Sequence, residues 1–256
     1  MAITESTKPG LSEAKIFGEG QHKLIYQTQG SGPPLILVHG LSGSGKWWRY
    51  NLAALAEQYT CHVVELIGYG ANRAFRPVTI ATAAAALAEF IALLPEGRAH
   101  VLGHSMGGHI AATLAANFPR SVDRLVLAAA SGLLRTNLFA MALRLPIAAH
   151  YSPLDFLPTL ARDAFRAGPL NLLLSTRDIL GSDLTEVAPK ILVPTLLIWG
   201  TRDNLVPLAA GEAMQKLIPD SRLEVLEGAG HVLMWDHSKA FNRLVLEFLR
   251  ATPNPR

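Results

Sequence analysis

The most constraining feature of the sequence is the hexapeptide at residues 103–108, Gly-His-Ser-Met-Gly-Gly. Residues 99–103 before it form a short apolar run typical of a strand, and residues 110–118 after it have a helix-like pattern. A serine raised by a sharp turn between strand and helix adopts strained backbone angles, so its neighbours must be small. The glycines two positions before and after Ser105 meet this requirement. The hexapeptide therefore predicts a strand that passes directly into a helix, with Ser105 presented as a candidate nucleophile.

The same turn gives the residue after the serine a candidate role. The backbone amide of Met106 would lie at a helix N-terminus, where an unpaired donor can face an oxygen that gains negative charge. A glycine-rich turn between strand and helix can also contain a serine by chance. The rest of the chain must therefore supply the partners that a nucleophilic serine needs.

Short apolar runs that alternate with helical runs predict a parallel sheet. Residues 35–38 are an unbroken aliphatic run, as expected for a strand buried on both faces. Further strands are expected at residues 62–66, 99–103, 124–129, 195–199 and 222–226, and an edge hairpin at residues 14–17 and 24–27. Helices are expected at residues 47–58, 80–94, 208–217 and 238–250. This order is typical of βαβ units and predicts an α/β fold.

The alternation stops after residue 132. The next clear strand begins about sixty residues later, far beyond an ordinary crossover connection. We therefore assign residues 133–189 to a helical cap insertion within one core domain, formed by residues 1–132 and 190–256. The insertion is rich in Leu, Ala and Phe, and its five arginines are balanced by five acidic residues. A lid of this composition favours an apolar, uncharged substrate, although most of its apolar residues are expected simply to pack on the core.

The glycine-rich loop after the strand at residues 35–38 has two interpretations. Residues 40–46 read Gly-x-x-x-x-Gly-Lys, which is most of a phosphate-binding loop and would indicate nucleotide binding. That motif continues with Ser or Thr to hold magnesium, whereas this chain has Trp47. The other interpretation is an oxyanion loop, in which the backbone amide of Leu41 pairs with that of Met106. We favour the second.

Two residues after other predicted strands can complete a catalytic set. A serine hydroxyl is nearly inert unless an imidazole takes its proton, and the imidazole needs a carboxylate to fix its tautomer. Asp203 follows the strand at residues 195–199, and His231 follows the strand at residues 222–226. The carboxyl ends of parallel strands share one edge of a sheet. We therefore expect Ser105, Asp203 and His231 to meet there.

Other residues fit these roles less well. Asp123, Asp220 and Asp236 lie before strands or near the last helix, where an aspartate commonly caps or faces solvent. His104 is expected to pack behind the nucleophile, and His39 to form structural hydrogen bonds under the glycine loop. The spacing His-Glu-x-x-His does not occur, so we expect no metal and no cofactor.

With these motifs in place, the chain resembles the α/β-hydrolase family over nearly its whole length. The match rests on His39-Gly40, on the turn around Ser105, and on residues 200–207 and 228–231. The resemblance implies a mostly parallel, eight-stranded, doubly wound sheet with an inserted helical cap. It also implies Ser105 as nucleophile, Asp203 as acid and His231 as base, with oxyanion donors at Leu41 and Met106. One departure is Glu-Leu-Ile-Gly at residues 65–68, where many relatives have Asp-x-Pro-Gly in a turn that is usually structural.

The resemblance also limits the reaction. A serine rather than an aspartate at the nucleophile position argues against dehalogenase and epoxide hydrolase chemistry. We expect a carboxylesterase-type hydrolase that cleaves esters of apolar, short-to-medium acyl groups through an acyl-enzyme. One alternative is carbon-carbon bond hydrolysis, because residues 231–243 look like the corresponding stretch of meta-cleavage-product hydrolases. Two differences argue against this alternative. Those relatives usually have Asn before the nucleophile and a longer glycine run in the oxyanion loop. The remaining alternatives are lactonase, amidase or perhydrolase activity, and a non-enzymatic ligand receptor on the same fold.

Composition excludes several other classes. The net charge is only +3 and the basic residues are scattered, so a pI near 9.1 is weak evidence for nucleic acid binding. The single cysteine, Cys61, excludes an internal disulfide framework and is compatible with a reducing compartment, so we expect a cytoplasmic protein. No uncharged apolar run reaches about 18 residues, so no membrane span is expected. The expected partner is a small apolar ester, and both a monomer and a homodimer remain open.

Overall fold

The computed structural model describes residues 11–133 and 152–251, and its centre is one eight-stranded sheet. The strands are β1 (Lys15–Phe17), β2 (Leu24–Gln29), β3 (Pro34–Val38), β4 (Thr60–Glu65), β5 (Ala99–His104), β6 (Val122–Ala128), β7 (Thr195–Gly200) and β8 (Ser221–Leu226). Their order across the sheet is β1-β2-β4-β3-β5-β6-β7-β8. Only β2 runs antiparallel, to β1 on one side and β4 on the other; every other pairing is parallel. The mostly parallel sheet predicted from the sequence is thus confirmed.

Helices cover the sheet in two groups. They are α1 (Leu52–Leu55), α2 (Ile80–Ala92), α3 (Met106–Asn117), α4 (Leu157–Gly181), α5 (Leu208–Leu217), α6 (Leu233–Asp236) and α7 (Ser238–Arg250). Helix α3 lies over β5 and β6 and packs beside α2, whereas α1 and α7 pack together elsewhere on the sheet. Strands β3 and β7 are buried along their whole length, as aliphatic runs sandwiched between two helix layers should be. These layers confirm the doubly wound α/β class.

One predicted helix is wrong in its extent. A continuous helix was expected over residues 47–58, but the structure has a 3₁₀ turn at Gly45–Trp48, followed by the four-residue α1. Trp48 and Asn51 are both fully buried here. The Asn51 amide donates to the carbonyl of Met234 at 2.8 Å, a contact that bridges distant parts of the chain. These tertiary contacts, rather than helix propensity, fix the local backbone.

The predicted insertion, residues 133–189, is described only in part, since residues 134–151 lie outside the described residues. Its described part contains α4, which is interrupted where Gly168 adopts φ 77° and ψ 157° directly before Pro169. Proline cannot continue the hydrogen-bonded ladder of a helix, and glycine tolerates the positive φ that the break requires. The division of the chain into a core domain and a cap stays a prediction.

Helix α4 and the residues just before it are attached to the rest of the structure beside the glycine-rich loop. The buried carboxylate of Asp163 in α4 accepts hydrogen bonds from Ser44 Oγ at 2.7 Å and from Trp47 Nε1 at 3.1 Å. Just before α4, the ring of Phe156 packs edge-on against Trp47 and Trp235, with ring centroids 5.1 and 4.9 Å away. Hydrogen bonds to a charged group are stronger than hydrogen bonds between neutral groups, so the contacts of Asp163 attach α4 firmly.

A second attachment lies further along α4. The carboxylate of Asp178 accepts the backbone amide of Ile80 at 2.7 Å, at the N-terminus of α2. The hydroxyl of Tyr69 donates to Ser175 Oγ at 2.6 Å, and burial raises the pKa of this hydroxyl to about 12. Helix α4 is therefore held near both of its ends. Within residues 11–133 and 152–251, none of the helices combines the length and apolar character needed to span a bilayer.

Candidate active site

Ser105 sits at a strained turn between β5 and α3. Its backbone has φ 53° and ψ −116°, a conformation that few residues other than glycine adopt. Close packing leaves no room for side chains nearby: a Cβ on Gly103 would lie 2.3 Å from the carbonyl oxygen of Gly107, and a Cβ on Gly107 would lie 2.3 Å from that of Val38. The two glycines of the motif are therefore required by the turn, as the sequence predicted.

Main-chain hydrogen bonds hold the strained residue in place. The amide of Ser105 donates to the carbonyl of Ala128 on β6 at 3.0 Å. Its carbonyl accepts the amides of His109 and Ser131 at 3.0 and 3.1 Å. The surrounding sheet and helix thus over-determine the turn, which is the condition under which a strained backbone persists.

The structure brings His231 and Asp203 to this serine. His231 Nε2 lies 3.0 Å from Ser105 Oγ, and His231 Nδ1 lies 2.8 Å from Asp203 Oδ2. The Asp203 side chain is fully buried, and the His231 side chain is 12% exposed. A proton on Nδ1 would be donated to the carboxylate, which leaves Nε2 free to accept the serine hydroxyl proton. The three residues thus form a continuous hydrogen-bonded chain, the arrangement that a nucleophilic serine requires; their catalytic roles stay predictions.

Asp203 is fixed by more than the imidazole. Its other oxygen, Oδ1, accepts the backbone amides of Leu205 and Val206, both at 2.9 Å. The loops after β7 and β8 are also in contact, since the amide of Arg202 donates to the carbonyl of Ala229 at 2.9 Å. The carboxylate therefore has one orientation, with Oδ2 directed at the ring of His231.

The glycine-rich loop after β3 lies against the same turn. A Cβ on Gly40 would lie 3.2 Å from the Cβ of Ser105, so the backbone of this loop approaches the serine closely. His39 supports the loop as expected: it is fully buried, its Nδ1 donates to the carbonyl of Gly40 at 2.8 Å, and its Nε2 accepts the amide of Leu66 at 3.2 Å. Burial lowers the pKa of His39, so its imidazole stays neutral and can donate one hydrogen bond while it accepts the other. Leu41 follows directly in the loop, and Met106 is the first residue of α3; their roles as oxyanion donors stay predictions.

The contacts of this loop do not favour the phosphate-binding interpretation. The amide of Gly45 donates to Glu65 Oε1 at 3.0 Å, and the hydroxyl of Ser44 donates to the carboxylate of Asp163 at 2.7 Å. Donors that would cradle a phosphate are thus occupied by carboxylates, whose charge would repel it.

The structure adds two residues around His231 that sequence reasoning did not find in these roles. The buried ring of His104, expected only to pack behind the nucleophile, has its Nε2 2.9 Å from the carbonyl oxygen of His231. The carboxylate of Asp236, considered above only as a weaker candidate acid, accepts the amide of Gly230 at 2.9 Å. The contact of His104 joins residues that are 127 positions apart and depends on tertiary packing, so a sequence pattern carries no signal for it.

A narrow cavity adjoins the serine turn. Its volume is about 20 Å³, which is room for roughly one water molecule. Its wall is mostly apolar and includes Ile67, Tyr69, Ala83, Ala86, Met106 and Ile110. Since Met106 directly follows Ser105, the cavity lies behind the residue predicted to hold the oxyanion.

Buried neutral histidines make the stability depend on pH. Burial lowers the pKa of His109 to about 4, whereas its value in the unfolded chain is near 6.5. Between these pH values the unfolded chain binds a proton that the folded chain does not, so the free energy of unfolding falls as the pH falls through this range. We expect denaturant unfolding at pH 5.5 rather than 7.5 to show a loss of about 1 kcal/mol from this residue alone.

The matched measurement uses H109L. Its loss of stability between pH 7.5 and 5.5 should be smaller than that of the wild type by about 1 kcal/mol, whatever its absolute stability. An unchanged pH dependence would show that His109 is not neutral in the folded chain.

The chain is similar to known proteins over most of its length. The sequence model of a family described as the alpha/beta hydrolase family matches residues 35–244. Pimeloyl-(acyl-carrier protein) methyl ester esterase from Chromobacterium violaceum is 30% identical over 252 residues, which cover 88% of this chain and 98% of that protein. The 2-hydroxy-6-oxononadienedioate/2-hydroxy-6-oxononatrienedioate hydrolase 2 of Pseudomonas putida is 29% identical over 91% of this chain and 90% of its own. A hydrolase from Pseudomonas aeruginosa PA01 superposes with a TM-score of 0.79 and 27% identity, covering 93% of this chain and 99% of that one.

Proposed function

Because this chain belongs to the alpha/beta hydrolase family, we propose that it is a serine hydrolase that cleaves carboxylic esters through an acyl-enzyme. The observation that carries the proposal is the hydrogen-bonded chain from Asp203 through His231 to Ser105, with separations of 2.8 and 3.0 Å. These distances lie within the range over which a nucleophile and a base exchange a proton.

The proposed reaction uses each of these groups. Ser105 Oγ attacks the ester carbonyl while His231 Nε2 takes its proton, and the carboxylate of Asp203 stabilises the resulting imidazolium. The backbone amides of Leu41 and Met106 hold the oxyanion of the tetrahedral intermediate. His231 then returns the proton to the leaving alcohol. A water molecule, activated by the same imidazole, releases the acid from Ser105.

We propose an apolar acyl group of short to medium length. The wall of the cavity beside Met106 is mostly apolar, which is compatible with an apolar substrate. The inserted helix α4 is fastened by Asp163 and Asp178, so a wide opening would require breaking bonds to two carboxylates. Together these features support a compact, apolar ester as substrate.

The Pseudomonas putida relative supports carbon-carbon bond hydrolysis as the second candidate. The tail residues that suggested this chemistry make structural contacts here: Trp235 Nε1 donates to Asp155 Oδ2 at 3.1 Å, and Asp236 accepts the amide of Gly230. Asn242 donates to the carbonyl of Tyr50 at 2.9 Å. Since these contacts would serve any reaction at Ser105, the tail does not favour one over the other.

The experiment is a pre-steady-state comparison of two substrate classes. We expect a burst of p-nitrophenol from p-nitrophenyl acetate or butyrate, equal to one equivalent of enzyme, because deacylation is slower than acylation for activated esters. A longer p-nitrophenyl ester series measures the preferred acyl length, and a vinylogous diketone acid tests carbon-carbon cleavage. A higher kcat/KM on the diketone acid would replace ester hydrolysis with the second candidate. No burst and no turnover on an acyl panel that includes lactones and amides would contradict an enzymatic function and favour a binding protein.

A further inference from the structure

His104 connects the strand that carries the nucleophile to the backbone of the proposed base. It is the last residue of β5 and directly precedes Ser105. Its Nε2 lies 2.9 Å from the carbonyl oxygen of His231, and the two imidazole rings are tilted against each other with centroids 4.9 Å apart. The contact spans 127 residues of sequence. It therefore links the nucleophile and the base by a path that does not pass through their reacting atoms.

The contact also fixes the tautomer of His104. A carbonyl oxygen only accepts, so Nε2 carries the proton and Nδ1 is an unprotonated acceptor. Nδ1 is buried without a hydrogen-bond partner and faces Gly40, where an added Cβ would lie 2.9 Å from it. A second proton on Nδ1 would therefore have no acceptor, and burial also lowers the pKa of this histidine well below its ordinary value. The ring stays a neutral donor.

The loop that carries His231 needs such a support. Residues 227–232 belong to no helix or strand, and the ring of His231 must keep both Ser105 and Asp203 within reach. The amide of Gly230 is held by the carboxylate of Asp236 at 2.9 Å. The carbonyl of His231 is held by His104. Asp236 thus holds the peptide group between residues 229 and 230, and His104 holds the peptide group that follows the Cα of His231.

We infer that His104 is a positioning residue, which holds the main chain of His231 so that its imidazole stays aligned with the hydroxyl of Ser105. The inference rests on the proposed function, because it assigns His231 as the base. Its physical basis is that reacting groups must be held in near-attack geometry, and that a displacement of about 1 Å costs on the order of 100-fold in rate. His104 touches neither reacting atom and acts only through the backbone of His231.

The test separates the hydrogen bond from packing. H104L keeps the bulk of the side chain but has no hydrogen-bond donor. H104Q can place an amide N–H near the position of Nε2. The side chain of H104N also ends in an amide, but it is one bond too short to reach that position. H100L is the matched control, since His100 lies on the same strand, is largely buried and contacts the ring of Tyr59 away from Ser105. For each variant, kcat and KM on p-nitrophenyl butyrate and the rate of Ser105 labelling by a fluorophosphonate are measured, with folding checked by circular dichroism.

We expect H104L to lower kcat and the labelling rate by about 10- to 100-fold with KM nearly unchanged, because alignment rather than binding is lost. H104Q should recover most of this loss, H104N little of it, and H100L should match the wild type. A folded H104L with wild-type kcat would overturn the inference. If H104L does not fold, equal activities of H104Q and H104N would overturn the inference. The proposed function fails on a different result, namely a wild-type protein that neither turns over esters nor reacts with the fluorophosphonate.

Discussion

Replacing Ser105 with alanine is expected to lower kcat for ester hydrolysis by about 10⁶-fold, to the residual level that binding and oxyanion donors supply without a nucleophile. In the proposed mechanism Oγ bonds to the acyl group and loses its proton through its hydrogen bond to His231 Nε2, which is 3.0 Å away. The imidazole and carboxylate remain, but they have no alcohol to activate. The burst of p-nitrophenol should vanish together with the steady-state rate.

The S105A variant should keep its fold, which makes the loss interpretable. The backbone of Ser105 is held by main-chain bonds to Ala128, His109 and Ser131, and alanine retains all of them. Mass spectrometry should detect a transient acyl adduct on the wild type and none on S105A. S221A is the matched control, because Ser221 Oγ donates to the carbonyl of Ile218 far from the site, and its activity should equal the wild type. Retained turnover in S105A would mean that another group is the nucleophile.

Sequence patterns predicted the helices and strands that have strong hydrophobic periodicity or clear turn residues at their ends. Helices α5 and α7 have the bounds expected from the sequence, Leu208–Leu217 and Ser238–Arg250, because each begins and ends at turn residues that interrupt its pattern. The meeting of Ser105, Asp203 and His231 was also predictable, since each follows a strand and parallel strands end at one edge. Their catalytic roles stay predictions until activity is measured.

Long-range polar contacts could not be predicted in the same way. The carbonyl of His231 is 127 residues from His104, and the attachment of Asp163 to Ser44 spans 119 residues. A hydrogen bond between such residues depends on side-chain direction after packing, which hydrophobic periodicity does not encode. For the same reason Asn51, whose amide reaches Met234, interrupts a stretch whose composition is typical of one continuous helix.

The second large effect is expected from Asp203→Asn, a change of a single atom. Oδ1 accepts the amides of Leu205 and Val206, both at 2.9 Å, so the carbonyl oxygen of an asparagine should keep that position. The amide nitrogen then faces His231 Nδ1 in place of Oδ2, and as a donor it requires Nδ1 to accept. The proton of the imidazole moves to Nε2, which would donate to Ser105 Oγ instead of taking its proton. In enzymes with a Ser-His-Asp triad, the wrong tautomer of the histidine lowers kcat by about 10⁴-fold.

This outcome is distinguishable from simple destabilisation. The D203N side chain keeps its size and its bonds to the loop, so thermal unfolding should change little while kcat on p-nitrophenyl butyrate falls by about four orders of magnitude. D220N is the matched control, since Asp220 is exposed in the turn before β8, and it should keep wild-type activity. A proton-detected NMR spectrum of histidine ring nitrogens should show Nδ1 of His231 protonated in the wild type and Nε2 protonated in D203N. A D203N protein with near-normal kcat would mean that the carboxylate does not set the tautomer of His231, and that the base is oriented by its backbone contacts alone.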